Sequence, residues 1–193
     1  RIAPVQVVIV PILPKATRDD VLAKAGALRD ILSKQFRVKR DDREAQTPGW
    51  KFNEWELRGV PLRIEIGPRD IAAGTVTMVR RDTGAKLPVA LDQIESVVVT
   101  ELADIQRSMY ERALAYRVNR TQDIASQAEL EAMIATGGGF ARAGWCGSAD
   151  CEARIKAETG ATIRVLATDD PQGLRCLCCD KPAEHVAYFA RAY

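Results

Sequence analysis

Apolar residues at the start of the chain first follow the spacing of a strand and then that of a helix. Residues 5–12 form an almost continuous run of β-branched residues, which is typical of a strand covered on both faces of a sheet. Thr17, with Asp20 three positions later, predicts a helix start, and apolar residues follow at helical spacing as far as Leu32. A strand followed by an amphipathic helix predicts the beginning of a βα unit.

The next segment predicts a helix, a strand and a hairpin. A Pro-Gly turn at residues 48–49 opens a helical pattern, and the alternation of residues 62–66 predicts a strand with charged residues on one face. Residues 75–80 and 86–90 flank an Asp-Thr-Gly turn signal and predict a hairpin.

Together these segments predict an α/β domain over residues 1–102. Pro88 interrupts the second hairpin strand, which therefore is predicted to lie at an edge or end of the sheet. The order of elements predicts a mixed sheet with helices on both faces, which is a three-layer α/β/α arrangement.

The second half of the chain predicts a long helix and a smaller domain. Residues 101–119 form the longest helical pattern, and residues 103–125 are expected to connect two domains. Ser126, with Glu129 three positions later, predicts another helix start. Strand-like and helical segments then alternate, so residues 126–193 are predicted to form a small α/β domain.

Four cysteines near the C-terminus form two close pairs. Cys146 and Cys151 have C-x4-C spacing, and Cys176 and Cys179 follow in C-x2-C spacing after a helix-length insert. This spacing is typical of a tetrahedral zinc site, because each pair closes a short loop and the insert brings the pairs together. Four thiolates leave no position for water, so the pattern favours a structural metal that stabilises the small domain. Cys178 is left as a spare thiol.

Composition limits the remaining possibilities. The 193 residues are 47% hydrophobic, which predicts one or two compact domains. The net charge is +2, so contact with nucleic acid has to come from a local patch. No apolar run approaches the roughly 20 residues of a bilayer span, and no signal peptide is visible, so we expect a cytoplasmic protein with no membrane partner. Because the chain begins at Arg1 and not at a methionine, we expect a piece of a longer protein.

Three separated motifs are similar to those of one enzyme family. They are residues 47–69, the segment RRDTGAK at residues 80–86, and the terminal AYFARAY. In this order, and with the cysteine pairs where the family has zinc ligands, they resemble prolyl-tRNA synthetase of the archaeal and eukaryote-like type. The resemblance covers essentially the whole chain, as an anticodon-binding domain followed by a C-terminal zinc-binding extension. The class II catalytic core that precedes these domains in the family is absent, so the chain alone is not expected to activate proline.

The resemblance implies that the first domain binds the two guanines of the proline anticodon. The positions carried over from the matching motif are Glu56, Arg63, Arg69 and Lys86. A carboxylate can accept from guanine N1 and N2, whereas arginine and lysine donate to O6 and N7. For Arg63 the alternative is a salt-bridged arginine on a sheet face. The helix aromatics Trp50, Phe52 and Trp55 are either core residues or a stacking surface for bases.

The resemblance also bears on the C-terminal residues. Cys178 stays an alternative to Cys179 as the fourth ligand, because some members of the family use a C-x-C pair. His185, the only histidine, is a further candidate ligand or base, but its place in a predicted strand favours a packed or surface residue. Tyr193 resembles a family tyrosine whose terminal carboxylate supports the active site of the catalytic domain.

The leading hypothesis is the C-terminal part of a proline–tRNA ligase. It would bind proline tRNA and support ATP-dependent attachment of proline in the intact enzyme, which is expected to be a homodimer. Zinc is the cofactor expected in this chain, whereas ATP and Mg²⁺ would bind only to the missing N-terminal catalytic domain. The alternatives are a freestanding tRNA-binding or protein-interaction module, and a thiol redox protein that uses the cysteines of residues 176–179.

Overall fold

A computed structural model describes residues 3–192 and divides the chain into two compact units, the first ending at Tyr110 and the second beginning at Glu111. The strands are β1 (Val7–Pro11), β2 (Val38–Arg40), β3 (Leu62–Ile66), β4 (Thr75–Arg80), β5 (Lys86–Ala90), β6 (Thr121–Asp123), β7 (Phe140–Trp145), β8 (Ala161–Leu166) and β9 (His185–Arg191). The α-helices are α1 (Arg18–Leu32), α2 (Pro48–Leu57), α3 (Pro68–Ala72), α4 (Ile94–Asn119), α5 (Gln127–Ala135) and α6 (Ala149–Thr159). Short 3-10 turns lie at Lys15–Thr17 and Leu91–Gln93.

The sheet of the first unit has the strand order β2-β1-β3-β4-β5. β1 runs parallel to β2 and β3, whereas β3, β4 and β5 form an antiparallel meander, so the sheet is mixed. All five residues of β1 are buried, as its continuous β-branched run predicts for a strand that is covered on both faces.

Helices cover both faces of this sheet. α1 and α4 pack on the face that presents Ile9 and Ile64, whereas Trp55 of α2 packs against Val8 on the opposite face. Because side chains alternate along a strand, Arg63 of β3 points to the face that α2 covers. The predicted α/β/α domain with a mixed sheet is confirmed.

α2 leaves part of its face of the sheet accessible. Residues paired directly across neighbouring strands share a face, and Arg63 pairs with Val79, which pairs with Lys86. Glu65 pairs in the same way with Thr77. We call the side chains of Arg63, Glu65, Thr77 and Lys86 the open face, because Thr77 is only half-buried and Lys86 is exposed.

The second unit is a four-stranded sheet with helices on one face. Its strand order is β6-β7-β9-β8, with β6 parallel to β7 and the other pairs antiparallel. Phe189 of β9 is fully buried at the centre of a core to which α5 contributes Leu130 and α6 contributes Ile155. The prediction of a second mixed α/β fold is confirmed.

The structure differs from the predicted elements in four places, and the first is β6, a strand within the segment that was predicted to connect the domains. α4 begins at Ile94, well before residue 101, because Ile94 and Val98 are buried against the sheet of the first unit. Thr17 does not cap α1 with its side chain, since it ends a 3-10 turn that precedes the helix. The short helix α3 follows β3 directly and was not predicted.

The helices were also compared with the requirements for spanning a membrane. None of those within residues 3–192 combines the length and the hydrophobicity that crossing a bilayer requires.

Candidate functional sites

A buried polar cluster holds α2 in place. The Oδ2 atom of Asp41 accepts from Trp55 Nε1 at 2.7 Å, and both Asp41 carboxylate oxygens accept from the guanidinium of Arg43, at 2.8 and 2.6 Å. Lys51, which is 2% exposed, donates to the backbone carbonyl of Asp41 at 3.2 Å. At the N-terminus of α2, the Thr47 side chain caps the helix by accepting from the backbone N–H of Trp50.

Hydrogen bonds stabilise the ionised form of the Asp41 carboxylate. Burial of the Asp41 carboxylate acts to raise its pKa, but donation from Arg43 and Trp55 outweighs burial and lowers the pKa to about 2. The carboxylate is therefore charged throughout the physiological range, and it ties the loop after β2 to the middle of α2.

Glu56 and Arg63 meet where α2 adjoins the open face. Arg63 Nη1 donates to Glu56 Oε1 at 2.8 Å, and Arg63 Nε donates to Glu65 Oε1 at 3.0 Å. The Arg63 guanidinium carbon lies 4.1 Å from the ring centre of Phe52, within cation–π range. Arg63 is 8% exposed, whereas half of the Glu56 side chain is accessible. The arrangement presents a carboxylate outward and uses the buried arginine to hold it.

Lys86 lies in the same row of the sheet as Arg63. Because neighbouring strands are separated by about 4.8 Å, the backbones of these two residues are about 10 Å apart. Lys86 is exposed, and among residues 3–192 no carboxylate lies within ion-pair distance of it. The cluster of Glu56 with Arg63 and the separate head of Lys86 thus border one surface.

Arg69 lies on α3, next to Asp70, which contacts Thr77 of the open face. Its side chain is exposed and has no ion-pair partner in the part of the chain that the structure describes. The neighbouring Asp70 accepts from the backbone N–H of Gly67 at 2.8 Å with Oδ2, while Thr77 Oγ1 donates to Oδ1 at 3.4 Å. Asp70 therefore adds an acceptor to the edge of the open face, and the Gly-Pro start of α3 followed by an acid at the third position was the signal that could have located it.

The four paired cysteines converge on one point. The Sγ atoms of Cys146, Cys151, Cys176 and Cys179 all lie within 4.8 Å of one another. Cys146 Sγ is 3.7 Å from the sulfur of Cys151 and 3.7 Å from that of Cys179. Four sulfurs placed about 2.3 Å from a central zinc ion would be about 3.8 Å apart, so the two 3.7 Å separations match a tetrahedral zinc site.

The backbone around the knuckle, residues 176–179, explains this convergence. The knuckle lies over β7, where Leu177 N–H donates to Gly144 carbonyl at 3.0 Å. A Cβ atom at position 144 would lie 2.4 Å from the carbonyl oxygen of Arg175, so only glycine allows the approach. Asp180 closes the turn with φ of 60°, the left-handed conformation that glycine adopts most readily.

The thiols of the cluster differ in acidity. Burial raises the pKa of Cys151, and neighbouring thiols raise it further. Burial also acts to raise the pKa of Cys176, but backbone N–H groups of Cys178 and Cys179 donate toward its sulfur and lower the pKa to about 7. Cys151 occupies the first turn of α6, but the helix dipole there does not offset the burial that raises its pKa.

Cys178 and His185 lie outside the group of four sulfurs. The guanidinium of Arg154 donates to the backbone carbonyl of Cys178, which fixes the knuckle to α6. His185 is exposed, and its ring centre lies 5.6 Å from that of Trp145. Tyr193 lies outside the described residues, so its predicted role has no structural counterpart here.

Both units match families of known proteins. The family model "Prolyl-tRNA synthetase, C-terminal" matches residues 128–193, and the model "Anticodon binding domain" matches residues 6–101. A proline–tRNA ligase of Symbiobacterium thermophilum is 50% identical over the whole chain, and one of Ruminiclostridium cellulolyticum is 44% identical. The chain belongs to the prolyl-tRNA synthetase family. A third relative, a chloroplastic/mitochondrial proline–tRNA ligase of Arabidopsis thaliana, is 44% identical.

The chain is shorter than its relatives in the prolyl-tRNA synthetase family. The chain is matched completely by these relatives but spans only 41%, 40% and 37% of their respective lengths. Residues 6–101 form its anticodon-binding domain, which contains Glu56, Arg63, Arg69 and Lys86. All four clustered cysteines lie in the part that matches the C-terminal domain of the family.

Proposed function

We propose that the first unit binds the two guanines of the proline anticodon and that, in a longer protein, this binding supports ATP-dependent attachment of proline to tRNA. The observation that supports it best is the pairing of Glu56 with Arg63 above Phe52, on the accessible side of an anticodon-binding domain. ATP and Mg²⁺ would be used by a catalytic part outside this chain.

The open face offers the groups that guanine needs. Guanine presents N1–H and N2–H donors on one edge and O6 and N7 acceptors on the other. Glu56 supplies an accessible acceptor for the first edge, and the exposed heads of Lys86 and Arg69 supply donors for the second. Arg63 acts mainly by orienting Glu56, because both its Nη1 and Nε protons already bind carboxylates. A surface on which acids and bases alternate suits a base edge better than a uniformly anionic phosphate chain.

Binding of the 193-residue chain to proline tRNA tests this proposal. The comparison is with the same tRNA carrying two replaced anticodon guanines, at near-physiological salt, because phosphate contacts alone could otherwise produce affinity. We expect a preference of roughly tenfold or more, about the size of one good base contact. Equal affinity for both tRNAs would contradict anticodon recognition and favour a module that binds only the backbone.

We further propose that Cys146, Cys151, Cys176 and Cys179 hold one structural zinc ion. The sulfur spacing supports this assignment, and the all-thiolate donor set is one that zinc prefers. When bound, the ion would cross-link the knuckle to β7 and α6. Its four protein ligands would leave no position for water, so the chemistry it supplies is structural.

The redox alternative makes a different prediction for the same sulfurs. A pKa of about 7 for Cys176 suits a reactive thiol as well as a metal ligand, so acidity does not separate the two. The metal content of the chain separates the zinc and redox alternatives. One tightly held zinc per chain and few titratable thiols would contradict a redox role. A metal-free chain with a reversible disulfide would contradict the zinc site.

Several predictions of the sequence stay proposals for the longer protein. They include a homodimer, a contribution of the Tyr193 carboxylate to the active site, and a cytoplasmic location. The name of the Arabidopsis relative refers to organelles, so location has to be measured and not carried over.

A further inference from the structure

A second groove borders α2 on the side away from the open face. Its volume is about 280 Å³, and it lies between α2 and the residues at the end of β2. The lining residues are Lys39, Arg40, Asp41, Asp42, Arg43, Glu54, Trp55 and Arg58. None of the anticodon-site residues Glu56, Arg63, Arg69 or Lys86 is among them, so this groove is separate from the surface described above.

Two cations meet over one aromatic ring in this groove. Lys39 Nζ lies 5.5 Å and the guanidinium carbon of Arg58 lies 5.1 Å from the ring centre of Trp55. Trp55 is only 4% exposed, and the charged heads of Lys39 and Arg58 lie over its ring at the groove. Both basic side chains are exposed to solvent.

The charges that line the groove do not balance. Arg40 pairs with Asp42 at 2.5 Å, and Arg58 pairs with Glu54 at 2.6 Å. Arg43 pairs with both Asp41 and Glu54. Four basic and three acidic side chains therefore leave one positive charge in excess. That charge is Lys39, which has no ion-pair partner within residues 3–192.

We propose that this groove binds one phosphodiester of the RNA backbone next to the anticodon, with Lys39 and Arg58 as its cationic contacts. The proposal rests on the proposed anticodon binding. A phosphodiester carries a single negative charge, which matches the excess of the groove. The acidic groups present are each paired with an arginine, so they do not cancel the charge of Lys39.

The position of the groove suits a strand whose bases lie on the open face. The two surfaces are separated by α2, and a helix with its side chains is about 10 Å wide. A tRNA strand that places guanines at Glu56 can therefore bring a neighbouring phosphate to Lys39 by passing over α2. Base contacts would then set the sequence preference, and the phosphate would fix the register of the strand.

The salt dependence of binding tests this proposal with the full 193-residue chain. Affinities for proline tRNA and for its guanine-replaced form are measured between 50 and 200 mM salt. The proteins compared are the wild type and Lys39→Met, which removes the charge but keeps an unbranched side chain beside Trp55. We expect the slope of log K against log salt to shrink by about 0.7 to 0.9 on both tRNAs, which makes the affinity lost over this range about threefold smaller. The matched control is Lys24→Met, an exposed lysine on α1 at the opposite face of the sheet, whose slope should equal that of the wild type.

Each other outcome overturns a specific part of the argument. An unchanged slope for Lys39→Met, or an equal change for Lys24→Met, removes the phosphate site while anticodon preference can persist. A loss confined to the guanine-containing tRNA would make Lys39 a base contact. A reduced slope with no guanine preference would support the phosphate site and contradict the proposed function. Lys39→Gln provides a second variant that must reproduce the smaller slope, and absence of tRNA binding by the wild type overturns both proposals.

Discussion

In the proposed function, the Arg63 side chain both stabilises the fold and organises the recognition surface. It is nearly buried, it pairs with Glu56 and Glu65, and it stacks on Phe52. The sequence predicted its strand and its position on the more polar face, and it also named a salt-bridged arginine as the alternative to a base contact. The structure shows the salt bridge, and in the proposed function this salt bridge orients the accessible carboxylate of Glu56.

Replacement of Arg63 by alanine should therefore weaken recognition without abolishing RNA affinity. We expect Arg63→Ala to lower affinity for proline tRNA by roughly 1 to 3 kcal/mol, the range of one good base-edge interaction. The loss should be much smaller on guanine-replaced tRNA. Arg29→Ala, which replaces a half-buried arginine on α1, serves as the control in the same titrations.

The stability of the Arg63→Ala chain has to be measured beside its affinity. Removing the guanidinium leaves Glu65 poorly solvated and unpaired, so some loss of stability is expected. Equal affinity losses on both tRNAs, in a variant that is folded at the assay temperature, would instead identify Arg63 as a contact to the backbone.

Some residues of the site were beyond the reach of the sequence. The pairing of Glu56 with Arg63 joins a helix to a strand, and spacing along one element does not reveal such contacts. Asp70 was missed because α3 is only one turn long and gives no periodic pattern. Phe52 was predicted as either core or stacking surface, and its contact with Arg63 gives it a place beside the recognition surface.

At the scale of elements, the position of α2 depends on a single buried acid. Asp41 connects the loop after β2 to Trp55 and Lys51 in the helix. Its pKa of about 2 lies below the ordinary value of 3.8, so the folded state favours the ionised form. The resulting stability is fully present above about pH 4 and is lost as the pH falls through about 2.

Asp41→Asn should remove this contribution. We expect the first unit to lose about 2 kcal/mol of unfolding free energy at neutral pH, and its stability to fall less steeply than that of the wild type between pH 4 and 2. Urea denaturation at a series of pH values measures both effects. Parallel pH profiles for the two proteins would show that another acid accounts for the difference.

The knuckle depends in a similar way on one glycine of β7. A methyl group at position 144 would meet the Arg175 carbonyl at 2.4 Å and the Ala183 side chain at 2.8 Å, so Gly144→Ala has to displace the knuckle. We expect zinc affinity to fall roughly ten- to hundredfold, in line with the cost of overpacking. Competition with a chromophoric chelator measures this, and Gly49→Ala, where no atom lies within 4 Å, is the control that should bind zinc normally. Unchanged affinity in Gly144→Ala would mean that the knuckle moves at no cost.

Element boundaries were predicted less well than element types. The start of α4 was placed late because its first turns carry buried Ile94 and Val98 in a segment that also suits a strand. After residue 101 only Ile105 of this helix is buried, while Met109 and Tyr116 are 49% and 63% exposed. Periodicity reports which residues share a helix face, but the neighbours that cover that face are set by the tertiary fold.

At the scale of the whole molecule, the apolar cores of the two units differ. The first has an apolar core on each face of its sheet, whereas the core of the second is small and rich in alanine. A zinc ion bound by four thiolates contributes on the order of 10 kcal/mol in small domains. The fold class and the cysteine cluster were predictable because each depends on strong periodic or spacing patterns, but the division at residue 110 within a continuous helix was not, because nothing in the helical pattern marks it.

Loss of zinc should therefore unfold only the second unit. We expect Cys146→Ser, or chelation of the wild type, to abolish hydrogen-exchange protection in residues 126–192 and to leave protection in β1 and β3 largely intact. Elemental analysis should find less than one zinc per chain in Cys146→Ser. Full metal occupancy in that variant would contradict the assignment of Cys146 as a ligand.

Two neighbouring cysteines provide the matched comparison for the same assay. Cys179→Ser should lose zinc as Cys146→Ser does, because its sulfur belongs to the cluster. Cys178→Ser should keep zinc, because its sulfur lies outside the group of four. The reverse result would assign the fourth position to Cys178 and make the C-x-C interpretation correct.

The position of β5 at the edge of its sheet affects how the chain behaves at high concentration. An unpaired strand edge can add the strand of another molecule, and proline and lysine oppose this because proline lacks a donor and lysines repel one another. β5 is such an edge, and it carries exposed Pro88 and Lys86. The opposite edge, β2, is only three residues long. The lysine that we assign to guanine binding thus also protects the sheet against polymerisation, so replacing Lys86 with an apolar residue would create an aggregation risk in addition to weaker binding.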